Sequence, residues 1–154
     1  MSHFIHKLFT CHKNFLIFVT FSKMQYQRLG KLAEKIACHY LKNKGYEILA
    51  RNYISHLISG PQRGEIDIIA QKNGTFHFIE VKSLNQKNQN TLIIPPEIKV
   101  NLQKQRKIIK TAKEWFAINQ ISLESKWQID IIVVRINQNQ KTAKIQYFQN
   151  VFGE

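Results

Sequence analysis

Acidic residues are scarce in this chain: 10 Asp and Glu stand against 23 Lys and Arg among 154 residues, a formal net charge of +13 at pH 7. Such an imbalance argues against a cationic partner and suits a polyanion, either nucleic acid or an acidic membrane surface. Cysteine is rarer still. Cys11 and Cys38 show no CxxC or Cys/His spacing, which excludes a thiolate metal site of ordinary pattern and a disulfide framework, and points to a reducing cytoplasmic compartment. No membrane span is expected, because the N-terminal apolar run "FLIFVTF" falls far short of the roughly 20 residues required. That run follows charged residues as in a signal peptide, but no small-x-small cleavage site comes after it. Gly-rich phosphate loops and a nucleophile elbow are absent, and the histidines have neither ligand nor triad spacing.

At 44% hydrophobic content the chain can build the core of one domain. Residues 1–24 read as a poorly ordered extension, with Met24 a candidate start, and residues 25–154 as the domain. "LGKLAEKIACHYL" places Leu29, Leu32, Ala33, Ile36, Ala37, Tyr40 and Leu41 on one helical face, with Gly45 as the stop and Glu34 at the edge of the stripe. "YEILARNYI" reads as a strand and "SHLISGPQRG" as a loop. "EIDIIA" and "TFHFIEVK" follow, joined by "QKNG", whose Asn-Gly pair signals a tight hairpin. "NQKNQNTLIIPPE" reads as a mobile connection. A helix from Glu97 to about Asn119 then has Ile98, Leu102, Ile109, Ala112 and Phe116 on its apolar face, with Lys99, Arg106, Lys110 and Lys113 as a basic stripe beside it. "WQIDIIVVRI" and "AKIQYFQNVF" are two further strands. The order of helix, three strands, helix and two strands predicts an α/β fold, a mixed central sheet flanked by helices.

The scarce acids cluster in the hairpin. With Asn73 and Gly74 as turn residues, Asp67 faces Glu80 and Glu65 faces Lys82, all on one side of the ribbon. Like charges so opposed repel, so either one carboxyl is protonated or a divalent cation lies between them. A hard cation such as Mg²⁺, with Mn²⁺ as a substitute, prefers carboxylate oxygens and keeps waters, leaving room for a phosphate and an attacking water that Lys82 could orient. The bland reading is a solvated ion pair at a strand end, of little energetic consequence. Gln105 lies inside the apolar stripe of the second helix, where solvation at the helix edge is the commoner explanation. Asp130 interrupts a buried strand and is expected to hold a structural hydrogen bond or ion pair. His77 alternates to the face away from the carboxylates.

These residues resemble the YraN-like bacterial family, placed within the restriction-endonuclease-like PD-(D/E)xK nuclease superfamily. The resemblance runs from about Gly30 to Glu154 and is carried by "GKLAEKIACHYLKNKGYEILARNY", "GEIDIIA", "FIEVK", "KQRKIIKTAKEWF", "IDIIVV" and "QNVF". It implies a restriction-endonuclease-like sheet, metal binding by Asp67 and Glu80, catalytic assistance by Lys82, and Glu34 as an acidic helical residue able to join the metal shell. Ile66 replaces the superfamily's proline, the "ISHLISGPQRG" loop is long, and "VKSLNQ" lacks a basic residue often found there. The function so implied is Mg²⁺-dependent hydrolysis of DNA phosphodiester bonds, on branched or damaged DNA, with a homodimer compatible. Lys99, Arg106, Lys110 and Lys113 would hold phosphates in a salt-dependent manner. The alternative is a non-catalytic nucleic-acid-binding module on a nuclease scaffold, and a weaker third reading is a basic peripheral membrane protein using the N-terminal arm.

Overall fold

The computed structural model describes residues 8–11, 14–18, 29–85 and 102–151, and for 8–11, 14–18 and Asn85 the backbone path alone. Helix α1 spans Leu29–Asn43 and buries Ala33, Ile36, Ala37 and Leu41 of the expected stripe together with Cys38, while Leu29, Leu32 and Tyr40 pack partly buried beside them. It stops where the chain turns left-handed at Gly45, φ +80°, and the Tyr46 N–H closes back on the Leu41 carbonyl at 3.0 Å.

In chain order the strands are β1 (Leu8–Cys11), β2 (Asn14–Phe18), β3 (Glu47–Ile54), β4 (Glu65–Lys72), β5 (Thr75–Asn85), β6 (Trp127–Asn137) and β7 (Thr142–Phe148). They form one sheet in the order β1-β2-β7-β6-β5-β4-β3. β1 and β2 are absent from the sequence reading and carry the sheet beyond β7. The sheet is mixed, with β5 parallel to β6 and its other neighbouring pairs antiparallel. This is the α/β arrangement that the order of elements predicts.

α1 covers one face, closing a core that includes Ile68, Ala70, Ile79, Ile132 and Val134. Helix α2, Leu102–Ile118, covers the other with Ile108, Ala112, Trp115 and Phe116 on Ile69, Phe76, Phe78 and Ile129. Phe116 meets Phe76 and Phe78 edge-on, with centroids 5.1 and 5.3 Å apart, a geometry that adds to simple burial. The buried residues of α2 are Ile108, Thr111, Ala112, Glu114, Trp115 and Phe116. Of the expected face Ala112 and Phe116 are fully buried, whereas Leu102 is exposed and Ile109 lies at the margin, so the buried face is rotated toward Ile108, Thr111 and Trp115. Ile98 and Lys99, the connection at 86–97 and the helix start at Glu97 lie outside the described residues.

Two features place the site. Asn73 and Gly74, with φ of 49° and 75°, make the tight turn, and the β4–β5 ladder runs from Lys72 opposite Thr75 to Ile68 opposite Ile79. Beyond that pair the sheet forks: β4 stays with β3 as far as Glu65, while β5 stays with β6 as far as Asn85. Among the described residues no helix is long and apolar enough to cross a membrane.

Candidate functional site

The fork changes the geometry expected of the hairpin acids. The ladder ends one pair short of Asp67 and Glu80, so neither these two nor Glu65 and Lys82 are ladder partners. A turn residue sets register only while the strands stay together, and here each strand follows its outer neighbour. Into the gap goes Asp67, whose Oδ2 accepts the Val81 N–H at 2.6 Å, a donor that β4 would otherwise have met with a carbonyl.

Asp67 and Glu80 still share a space. A cleft of about 330 Å³ opens beside the fork, lined by Arg63, Glu65, Asp67, Glu80, Lys104 and Lys107, with Gly64, Gln103 and Ile108 completing the wall. Burial, then the charge of Glu80, pushes the Asp67 carboxyl up to about 6 against the opposing pull of the Val81 N–H and Lys104. Glu80 is 5% exposed and its Oε1 is met by two ammonium groups, Lys82 at 2.8 Å and Lys104. The bland reading of a solvated pair thus gives way to a buried carboxylate with its counter-charge.

Glu34 projects from α1, on the other side of the sheet from α2, and accepts a hydrogen bond from Asn52 Nδ2 at 2.7 Å. Its charge is felt at Asp67, but it does not line the cleft. Among the described residues no three Asp, Glu, His or Cys side chains gather into one ligand group. Asp67 and Glu80 nevertheless suit a hard cation: they are oxygen donors in one cleft, and Glu80 already holds positive charge in the form of ammonium groups. Such an ion would draw its remaining ligands from water and phosphate.

The basic residues divide into two rows. Arg106, Lys110 and Lys113 are exposed and do not line the cleft, while Lys104 and Lys107, in phase with Ile108 and Thr111, do. Gln105 is half-buried and Gln103 lines the cleft in its place. Sequence reasoning missed Arg63 because it lies in a loop that no periodicity marks, and Lys104 and Lys107 because the helix was phased on Leu102 and Ile109.

Glu114 was missed for the same reason. Buried on α2, it accepts Ser55 Oγ at 2.5 Å, His56 N at 2.6 Å and Leu57 N at 3.1 Å. Burial works to raise its pKa, but these bonds outweigh it and hold the carboxyl below its ordinary value. The 55–64 loop is thereby fastened to α2, and Arg63 Nε returns to the Ser55 carbonyl at 3.0 Å. Gly64 seals the contact, since a Cβ there would lie 2.1 Å from Thr111 Oγ1 and 3.0 Å from the Lys107 carbonyl.

On the α1 face Asp130 is fully buried and plays the structural part expected of it. It meets His77 Nδ1 at 2.7 Å and Tyr147 Oη at 2.5 Å, while Gln128 Nε2 and the Asn150 N–H donate to its other oxygen.

Comparison with known proteins gives one consistent answer. A model of the uncharacterised protein family UPF0102 matches residues 33–134. The chain is similar to a UPF0102 protein of Alkaliphilus oremlandii, 36% identical over 126 residues, covering 82% of this chain and 98% of the relative. It is likewise similar to one of Helicobacter pylori, 35% identical over 131 residues with 85% and 96% covered. A third, of Campylobacter hominis, is 39% identical over 124 residues with 80% and 93% covered.

Proposed function

Since the chain belongs to the uncharacterised protein family UPF0102, we propose from its own geometry that it is a Mg²⁺-dependent nuclease hydrolysing DNA phosphodiester bonds. The observation that carries this reading is the pair of carboxylates, Asp67 and Glu80, in one cleft with the Lys82 ammonium 2.8 Å from Glu80. Asp67 and Glu80 would hold the ion, which polarises the phosphate and lowers the barrier to attack by water. Lys82 would orient the attacking water and offset negative charge growing on the phosphate oxygens. Arg63 and Lys107 would seat the strand, with the exposed row of Arg106, Lys110 and Lys113 engaging phosphates farther out. The test is cleavage of linear, flapped and four-way DNA with Mg²⁺. Asp67→Ala, Glu80→Ala and Lys82→Ala should each lose at least roughly 100-fold in rate; retention of cleavage in all three would end the assignment.

One observation favours a second reading, a non-catalytic nucleic-acid-binding module. Two lysines already neutralise Glu80, and no third ligand joins the pair among the described residues. That reading expects salt-sensitive DNA binding that survives Asp67→Ala, with no cleavage by the wild type.

A further inference from the structure

Positive charge is unevenly spread over Asp67 and Glu80 in the cleft. Glu80 Oε1 receives both Lys82 and Lys104, whereas Asp67 forms no ion pair among the described residues. The two lysines are held differently. Lys82 is fixed by β5, two residues from Glu80, while Lys104 reaches over from the first turn of α2 and its side chain is 43% exposed against 31% for Lys82.

A flexible ammonium at a solvent edge is weakly held, because water screens the attraction and ordering the chain costs entropy. Glu80, at 5% exposed, cannot be left without counter-charge. A divalent ion arriving at Glu80 Oε1 would therefore compete with Lys104 for one oxygen. The displaced ammonium would remain in a cleft that also presents Arg63 and Lys107, two further donors suited to phosphate.

We propose that Lys104 is an exchangeable counter-ion, which neutralises Glu80 in the free protein and moves onto a nucleic-acid phosphate beside Arg63 and Lys107 when a divalent ion takes its place. This rests on reading Asp67 and Glu80 as ion ligands. Its consequence is positive coupling: each phosphate that draws Lys104 away eases entry of the ion, and by linkage the ion tightens binding of the polyanion to the same degree.

The test is titration calorimetry with Ca²⁺, a hard ion that seeks oxygen ligands, on the full chain. Wild type, Lys104→Gln and Lys104→Arg are each titrated alone and saturated with a short DNA duplex. DNA should tighten Ca²⁺ binding to the wild type roughly tenfold, within the usual range of coupling between two sites. Lys104→Gln should bind Ca²⁺ alone more tightly than the wild type and gain less from DNA than the wild type does, keeping only what direct phosphate ligation of the ion supplies, while Lys104→Arg keeps the full coupling. Absence of Ca²⁺ binding, a wild-type affinity indifferent to DNA, or a Lys104→Gln protein that binds the ion no more tightly alone or gains as much from DNA as the wild type would overturn the exchange. The readout is heat of ion binding. Coupling without hydrolysis under Mg²⁺ would therefore retire the nuclease reading and leave the exchange standing, and cleavage without coupling would do the reverse.

Discussion

At the residue scale, the carboxylates of Asp67 and Glu114 make opposite demands on pH. Asp67 is raised to about 6, so the folded chain takes up its proton more readily than the unfolded chain, whose Asp has an ordinary value of 3.8. Its contribution to stability therefore grows as pH falls through about 6 and is lost again as pH rises through that value. Glu114 is lowered from 4.5, so its contribution is full above that value and is lost as the medium becomes more acid. Melting temperatures measured between about pH 7 and pH 5 should show the wild type gaining on Asp67→Asn as the proton binds. Divalent-ion affinity should fall over the same interval, because the ligand must give up its proton. Glu114→Ala would strand the His56 and Leu57 N–H groups, costing about 1–3 kcal/mol. Denaturant unfolding checks that figure. It should be accompanied by weaker DNA binding, because the 55–64 loop carries Arg63 to the cleft.

At the scale of elements, the hairpin was legible and the fork was not. Asn73-Gly74 dictates both turn and register from two residues, and the ladder from Lys72–Thr75 to Ile68–Ile79 follows it. Where that ladder ends depends on β3 and β6, strands outside the hairpin whose pull its own residues do not record. Helix α1 was legible because its apolar stripe is uninterrupted. α2 was legible as a helix but its inward face was not, because that face contains Thr111 and Glu114 and its start carries an exposed Leu102. Polar residues on the inner face and an apolar one on the outer face shift the apparent phase by about one residue, enough to exchange Lys104 and Lys107 for Lys110 and Lys113. The α2 contact also yields a prediction. Gly64→Ala should cost about 1–3 kcal/mol by overpacking against Thr111. Thr111→Ala in the same chain should restore part of it, as a double-mutant cycle of unfolding free energies would reveal.

At the scale of the whole molecule, the sheet separates two kinds of work. The α1 side holds Asp130, His77 and Tyr147 in a buried polar network, and burial, followed by the charge of Asp130, drives the Tyr147 hydroxyl far above its ordinary pKa, so it stays protonated. The α2 side holds the cleft and the exposed Arg106, Lys110 and Lys113. A chain of charge +13 should bind DNA with an affinity that falls steeply with salt. If Arg106 contacts a phosphate, Arg106→Ala should reduce the slope of log affinity against log salt by about one, uniformly across DNA sequences. Fluorescence anisotropy over a salt series measures this. Composition carries the excess of positive charge; it holds no information on which of two helix faces presents that charge.

The fork has a spectroscopic consequence for the molecule. Because the Val81 N–H is bound by the Asp67 carboxylate rather than by a neighbouring strand, its amide resonance is a built-in reporter. Protonation of Asp67 or arrival of a cation would move this single peak before any substrate is added, while the Ile79 amide, on the intact side of the fork, supplies an internal reference from the same strand.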